Sequence, residues 1–321
     1  MIVITGASGF IGSVVLGYFN QKGRMDILAV DEFDNSLKWR NLSAKKFVDF
    51  IDKEEFLTKL NDYKDITSII HLGANTDTTV SDLKTLMTSN FEYSKRLFSF
   101  AADKNIPFIY ASSAATYGDG SNGYIDDEDN LFKLRPLNAY GFTKQLFDQW
   151  VLLSCKRPYF WAGLKFFNVY GPNEYHKGKM ASMVYQAYCQ LVKNKKIKLF
   201  KSYDKNYAHG EQKRDFIYVF DVAKIIYYFY KNHGISGIYN VGAGNAESFN
   251  TLAYLLIKYS KIKGEIEYID MPTNIRDKYQ YYTEASVKKI VKSGFDKSLY
   301  SIEDGIKEYV EQYLKMEDQY F

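Results

Sequence analysis

Short runs of β-branched and apolar residues alternate along the first half of the chain with longer stretches whose apolar positions recur every three or four residues. Ile2–Thr5, Ile27–Val30, Ser68–His71, Pro107–Ala111 and Gly163–Phe167 carry the first pattern and read as buried strands. Gly12–Lys22, Ser89–Lys104 and Tyr140–Leu153 carry the second and read as amphipathic helices. Strands that alternate with helices pack as a parallel sheet with right-handed crossovers. The pattern therefore predicts an α/β chain with a Rossmann-like, doubly wound parallel sheet. Beyond Phe167 it loosens into a Gly171–Pro172 turn, a polar loop at Ser202–Lys213, strands at Ile238–Val241 and Glu265–Ile269, and a terminal helix at Ser301–Leu314. The expected organisation is a main body over residues 1–167, to which 214–242 returns, and a smaller C-terminal α/β lobe built from 168–213 and 243–321.

Composition narrows the classes. With 321 residues there is ample apolar material for a core, and 46% hydrophobic against 25% charged residues excludes a disordered chain. A net charge of +4, dispersed along the chain, argues against nucleic acid as a partner. No run approaches the length of a membrane span, and the first residues enter a strand pattern at once, so no targeting segment is expected. Cys155 and Cys189 alone make no disulfide framework, and His71, His176, His209 and His233 lack metal-ligand spacing. No metal is expected.

Candidate chemistry starts at the first strand. Ile2–Thr5 runs into Gly6-Ala7-Ser8-Gly9-Phe10-Ile11-Gly12 and then a helical pattern. Glycines at 6, 9 and 12 allow a tight turn, close backbone approach to a pyrophosphate, and helix-on-strand packing, while the helix start offers N–H groups to the phosphates. This points to a dinucleotide site in the 1–167 body. Asp31, closing the next strand, is placed to accept the adenosine ribose hydroxyls and favours NAD by repelling a 2′-phosphate. Lys38 and Lys53, just downstream, can neutralise such a phosphate. These residues by themselves leave NADP and NAD both open.

Tyr140 and Lys144 lie four apart on one helix face, with Phe142, Leu146, Trp150 and Leu153 expected to bury on the other. A free phenol ionises near a pKa of about 10, and a neighbouring ammonium favours its anion. Ser112 and Ser113 fall just past a buried strand, where a parallel sheet presents residues to its ligand crevice. Ser113 is expected to bond a substrate oxygen while Tyr140 moves the proton; loop capping suits Ser112 better.

Together, TGASGFIG (5–12), ASSAATYG (111–118) and YGFTK (140–144) resemble the extended short-chain dehydrogenase/reductase family of nucleotide-sugar enzymes. FNVYGP (167–172), HKGKMAS (176–182), KRDFIYVFDVA (213–223) and IYNVGAGNAESF (238–249) narrow the resemblance to the ADP-glyceromanno-heptose 6-epimerase family over essentially the whole chain. That resemblance implies an NADP-dependent isomerase that oxidises C6 of an ADP-heptose and reduces it from the other face. It implies Tyr140 and Lys177 as the two proton-transfer groups, Lys144 on the nicotinamide ribose, and Ser113 on the substrate oxygen. Beyond the glycine turn and Asp31, implied cofactor contacts are Glu32, Lys38, Lys53, Leu72, Gly73, Ala74, Asn75, Thr76, Asn90 and Val169. Implied substrate contacts are Asn168, Lys179, Gln186, Phe200, Arg214 and Tyr279. A guanidinium grips a diphosphate bidentately, which suits Arg214, although a salt bridge to Asp215 is the competing reading.

Lys179 and Gln186 depart from the family's usual serine and histidine, and the 202–213 loop is longer than usual; all three bear on sugar specificity. The resemblance further implies a homo-oligomer working in cytoplasmic synthesis of lipopolysaccharide inner-core heptose. The alternatives are a sugar-nucleotide 4-epimerase or dehydratase with the same Ser/Tyr/Lys set and, in another class, a silent NAD(P)-binding sensor. A dehydratase wants an acidic pair where this chain has Ala114-Ala115.

Overall fold

A computed structural model describes residues 1–321 except 79–81, 277–278 and 297. Seven parallel strands form the main sheet: β1 Ile2–Thr5, β2 Ile27–Asp31, β3 Asp49–Asp52, β4 Ser68–His71, β5 Phe108–Ser113, β6 Trp161–Phe166 and, after three strands of other sheets, β10 Gly237–Val241. Their spatial order is β10-β6-β5-β4-β1-β2-β3, a doubly wound order that reverses beside β1. The register pairs Ile2 with Ile27 on one side and with Ser68 on the other. β1 is buried throughout, as a strand covered on both faces must be.

Two apolar layers cover that sheet. On one face, Val14, Val15 and Phe19 of the helix Phe10–Gln21 pack with Val222, Ile226 and Phe229 of the helix Val219–Lys231. On the other, Leu97, Phe98 and Ala101 meet Phe147 and Val151. A third core joins the helices Met183–Asn194, Phe249–Ser260 and Ile302–Tyr309. Two small sheets belong to this part: β7 Asn168–Tyr170, β9 Lys213–Tyr218 and β11 Ala246–Ser248 in the order β11-β9-β7, and β8 Lys196–Phe200 beside β12 Glu265–Ile269. Within the stretch 214–242, the helix Val219–Lys231 and β10 lie on the main sheet, whereas β9 pairs with β7 and β11.

One packing expectation is corrected. In the helix Ala139–Leu153, Phe142 and Leu153 are 43% and 70% exposed, while Gly141, Lys144, Gln145, Asp148 and Val151 are buried. Leu146 and Trp150 are partly buried against the second core. The helix seats its polar stripe on the sheet because partners await it there. Asp148, with no exposed surface, accepts from Ser112 Oγ at 2.7 Å and Tyr110 OH at 3.0 Å, both on β5. Lys165 on β6, 1% exposed, pairs with the same carboxylate at 2.9 Å and donates to Thr116 Oγ1 at 2.5 Å. A buried carboxylate so surrounded is tolerable; stripped of its cation it is not.

Among the described residues no helix is long and apolar enough to cross a membrane. No cluster of three His, Cys, Asp or Glu side chains there is placed to hold a metal ion. Both cysteines are free.

Lys165→Met leaves Asp148 buried without its cation. Urea titration should show a loss of about 3–5 kcal/mol of unfolding free energy; a loss below about 1 kcal/mol would mean the pair does not hold the helix to the sheet.

Candidate active site

The turn after β1 is built by backbone proximity. Gly6 has φ +68°, and a Cβ there would lie 2.7 Å from the Gly73 nitrogen; a Cβ on Gly12 would lie 2.0 Å from the Gly6 carbonyl oxygen. The Gly9 N–H donates to that same carbonyl at 3.1 Å. Gly9 is the N-cap of the helix Phe10–Gln21 and offers no capping side chain, so the first-turn N–H groups are left for an anionic ligand. A crevice that side chains would fill, beside uncapped donors, fits a dinucleotide pyrophosphate.

Asp31, at the end of β2, faces this turn. Its Oδ2 accepts from Ser8 N–H at 2.8 Å and Ser8 Oγ at 2.7 Å. Lys38 bridges Asp31 at 3.1 Å and Asp34 at 2.7 Å, and Lys53 pairs with Glu32 at 3.0 Å. Burial works against the Lys38 charge, but the two carboxylates outweigh it and raise its pKa.

Residues 72–76 leave β4 beside the turn and are tied down from three sides. Buried His71 bonds Thr5 Oγ1 at 2.6 Å and Ser94 Oγ at 2.8 Å, and Gly73 N–H donates to Thr5 Oγ1 at 3.2 Å. Burial, helped by the Lys144 charge, pushes the imidazole down to about 3, so it serves as a neutral strut. Asn90, in the π-helical turn Met87–Glu92, accepts from Asn75 N–H at 2.8 Å and donates to Asn75 O at 3.0 Å. It also donates to Thr143 Oγ1 at 3.3 Å, and that hydroxyl donates to the Tyr140 carbonyl at 2.8 Å.

The helix Ala139–Leu153 begins under Asn138, whose Oδ1 accepts from Gly141 N–H at 2.7 Å. A Cβ on Gly141 would stand 2.8 Å from the Ala115 carbonyl, so glycine lets the helix start press against the turn after β5. This brings Tyr140 to Ser113. Burial pushes the phenol above its ordinary value, with the Ser113 hydrogen bond pulling the other way. The expected shift toward the phenolate is thus reversed, because desolvation outweighs any help from Lys144. Lys144 donates to the Ala111 carbonyl at 2.8 Å, and burial, opposed by Asp148, lowers its ammonium to about 8. The loop-capping part expected of Ser112 falls to its neighbour. Ser113 caps the turn after β5, accepting from Ala115 N–H at 3.1 Å, while Ser112 bonds Asp148.

Lys177 stands on the turn Tyr175–Met180 and donates to Thr76 Oγ1 at 3.3 Å. Burial lowers its pKa, and Glu174 opposes the shift. Lys179 is exposed, and Gln186 donates to the carbonyls of Lys179 at 3.1 Å and Ala181 at 2.7 Å, closing the same loop. Arg214 does not pair with Asp215. That carboxylate accepts instead from the N–H groups of Ala243 at 2.6 Å, Gly244 at 2.9 Å and Ala285 at 2.9 Å. The guanidinium donates to the Lys213 carbonyl at 2.9 Å and lies over the rings of Tyr279 at 5.1 Å and Phe249 at 5.6 Å. Asn168 donates to the Asp215 carbonyl at 3.0 Å, and partly buried Val169 follows it on β7. Phe200 meets Tyr279 edge-on at 6.3 Å. Beside Tyr279 opens a cavity of about 730 Å³ that Tyr124, Leu137 and, from the 202–213 loop, Tyr207 help to line.

Thr5, Asp148, Lys165 and Glu174 escape the motif reading. Asp148 carries a legible signal, since it continues the 140/144 face by one further turn; Thr5 and Lys165 read as ordinary strand residues.

Residues 2–242 match the NAD dependent epimerase/dehydratase family. The chain belongs to that family. Within it, this member is 45% identical to the ADP-L-glycero-D-manno-heptose-6-epimerase of Fusobacterium nucleatum and 42% identical to that of Nitratidesulfovibrio vulgaris strain DP4, with 100% of each chain covered in both comparisons. Its fold superposes on the crystal structure of the Helicobacter pylori ADP-L-glycero-D-manno-heptose-6-epimerase with a TM-score of 0.83 and 30% identity, covering 98% of this chain and 96% of that one. As an NAD dependent epimerase/dehydratase, the chain should depend on its glycine crevice. Gly12→Ala must displace the Gly6 carbonyl, and the purified variant should retain no dinucleotide in a denaturation-release assay; wild-type cofactor content would contradict the crevice.

Proposed function

We propose that this chain inverts C6 of ADP-D-glycero-D-manno-heptose, giving ADP-L-glycero-D-manno-heptose through a transient 6-keto sugar. No carbonyl neighbours C6 to acidify its C–H, so temporary oxidation is the accessible route to inversion. A nicotinamide dinucleotide bound in the glycine crevice supplies reversible hydride acceptance. Gly6, Gly9, Phe10, Ile11 and Gly12 would hold its pyrophosphate, Asp31, Glu32, Lys38 and Lys53 its adenosine ribose, and residues 72–76, Asn90, Lys144 and Val169 its nicotinamide half.

The chain's own residues manage the alcohol proton. Tyr140, beside Ser113, takes or returns it on one side of the substrate, and Lys177 does so on the other. A lysine with lowered pKa can serve as both acid and base. Ser113 orients the substrate oxygen, and Lys144 stiffens the Tyr140 side. Arg214, a half-buried cation with no carboxylate partner among the described residues, receives the diphosphate. Asn168, Lys179, Gln186, Phe200 and Tyr279 surround the sugar and nucleotide. The observation that carries this reading is the convergence on one segment of Lys177, which reaches Thr76, and the helix that carries Tyr140, which reaches Asn75 through Thr143 and Asn90.

We also propose NADP as the preferred dinucleotide. Lys38 and Lys53 sit against Asp31 and Glu32 and can trade a carboxylate for the 2′-phosphate. The setting is cytoplasmic synthesis of lipopolysaccharide inner-core heptose. Assembly as a homo-oligomer, with the exposed Phe142 and Leu153 available for contact, completes the proposal.

Two experiments test it. Each C6 epimer is mixed separately with cofactor-loaded enzyme, and reduced nicotinamide is followed by its near-ultraviolet absorbance. Tyr140→Phe should slow oxidation of one epimer and Lys177→Met that of the other, each by about 10²–10⁴-fold, and both should lose inversion. Wild-type inversion by Lys177→Met would remove the second base. For the dinucleotide, Lys38→Ala should lose most of the preference for NADP over NAD in a binding titration; a wild type that binds both equally would defeat the NADP assignment.

A further inference from the structure

Lys177 has to stay at Thr76 although every residue of the turn that carries it, Tyr175–Met180, is at best partly buried. What holds this loop lies at its base. Glu174 is fully buried, and its Oε1 accepts from Gly171 N–H at 3.2 Å, Ser182 Oγ at 2.8 Å and Tyr309 OH at 3.1 Å. Its Oε2 accepts from Ser182 N–H, and its own carbonyl accepts from Lys177 N–H at 3.0 Å. The two ends of the loop, Gly171 and Ser182, therefore meet on one carboxylate. Ser182 is also the N-cap of the helix Met183–Asn194, whose positive end faces the same charge. On the next residue back, Asn173 donates to Ser13 Oγ at 2.9 Å and its carbonyl accepts from Asn41 at 3.1 Å, fixing the base to the glycine-turn helix.

We infer that Glu174 is a positioning residue for the reaction: its buried carboxylate is a clasp that closes the 171–182 loop and keeps the Lys177 ammonium at the 72–76 segment. The inference rests on the reading of Lys177 as the second proton group.

Burial pushes the Glu174 carboxyl up to about 7, against the hydrogen bonds that favour its anion. The titratable groups facing it are Tyr309 from the terminal helix, Tyr185 and Cys189 from the Met183–Asn194 helix, and Tyr175 and Lys177 from its own loop. Among the described residues no ion pair holds it. The N–H groups of Gly171 and Ser182 cannot turn round to accept, so a protonated Glu174 must give up an acceptor site and the clasp slackens. The closed form is therefore complete above about pH 7 and is lost as pH falls through that value. Stability runs the other way. Between the ordinary carboxyl value and about 7 the folded chain holds a proton that the unfolded chain releases, so folding stability declines as pH rises across that window.

The two half-reactions separate a clasp from a general structural role. Glu174→Gln, loaded with cofactor, should oxidise the Lys177-dependent epimer roughly ten- to a hundredfold more slowly, while the Tyr140-dependent epimer stays within about twofold of wild type. The inflection that Glu174 adds near pH 7 should disappear from the Lys177-dependent profile alone, leaving the fall that protonation of Lys177 itself causes. Equal slowing of both epimers, or slowing of neither, overturns the clasp. If Lys177→Met itself shows no difference between epimers, the two-base reading fails, whatever Glu174→Gln does. Should Glu174→Gln not fold, Tyr309→Phe removes one bond to the clasp without changing core volume. It should show the same asymmetry in smaller measure, and symmetrical or wild-type rates there overturn the inference equally.

Discussion

The seating of one helix on the main sheet decides where the chemistry can occur, and a buried carboxylate decides the seating. Asp148 has partners only where Tyr110 and Ser112 of β5 and Lys165 of β6 converge, so the helix Ala139–Leu153 has one favourable depth and rotation. Sliding or turning it would strand a charge in an apolar layer, which costs far more than a lost apolar contact. One turn above Asp148, Lys144 reaches the Ala111 carbonyl; one turn above that, Tyr140 reaches Ser113. A stripe of polar residues is thereby held on the buried side of a helix, and its last member faces the crevice.

The opposite wall is set by different means. Residues 72–76 are bound through Thr5, His71 and Asn90 to β1, to the Tyr93–Lys104 helix and to the Tyr140 helix. Lys177 arrives from the other side on a loop anchored to Ser13 and Asn41. The glycine crevice lies between, at the reversal of strand order where parallel sheets bind ligands. Rigid anchorage on both walls suits a reaction in which a substrate carbon is attacked from two faces while the protein itself need not move.

Six of the seven main-sheet strands are readable because each carries a short apolar-rich run, as in Ile27–Val30; β3, Asp49–Asp52, is half aspartate and carries no such signal. The glycine turn is readable because Gly6, Gly9 and Gly12 have few alternatives to the crevice they form. The short strands β7 and β11 are not, since three residues carry no periodicity. The buried face of the Tyr140 helix misleads for a physical reason: amphipathic reading sends Phe142 and Leu153 inward, whereas hydrogen-bonded Lys144 and Asp148 take that side. Ser112 and Ser113 differ only by the alternation of a strand, and which of them meets Asp148 depends on the helix across from them. Arg214 reads as half of an adjacent pair with Asp215 until the β-strand alternation sends the two side chains to opposite faces. Glu174 sits three residues before Lys177, but nothing local tells that Gly171, Ser182 and Tyr309 will all donate to it.

Oxidation and re-reduction at one carbon is the claim on which the account stands, and the origin of the hydrogen that returns to C6 reports on it directly. ADP-D-glycero-D-manno-heptose incubated with the cofactor-loaded protein in deuterium oxide, and followed by proton NMR, should convert to the L-glycero epimer with protium retained at C6. Deuterium at C6 would mean that solvent supplies the hydrogen, and a spectrum without the second epimer would mean that this sugar is not the substrate; either result contradicts the account.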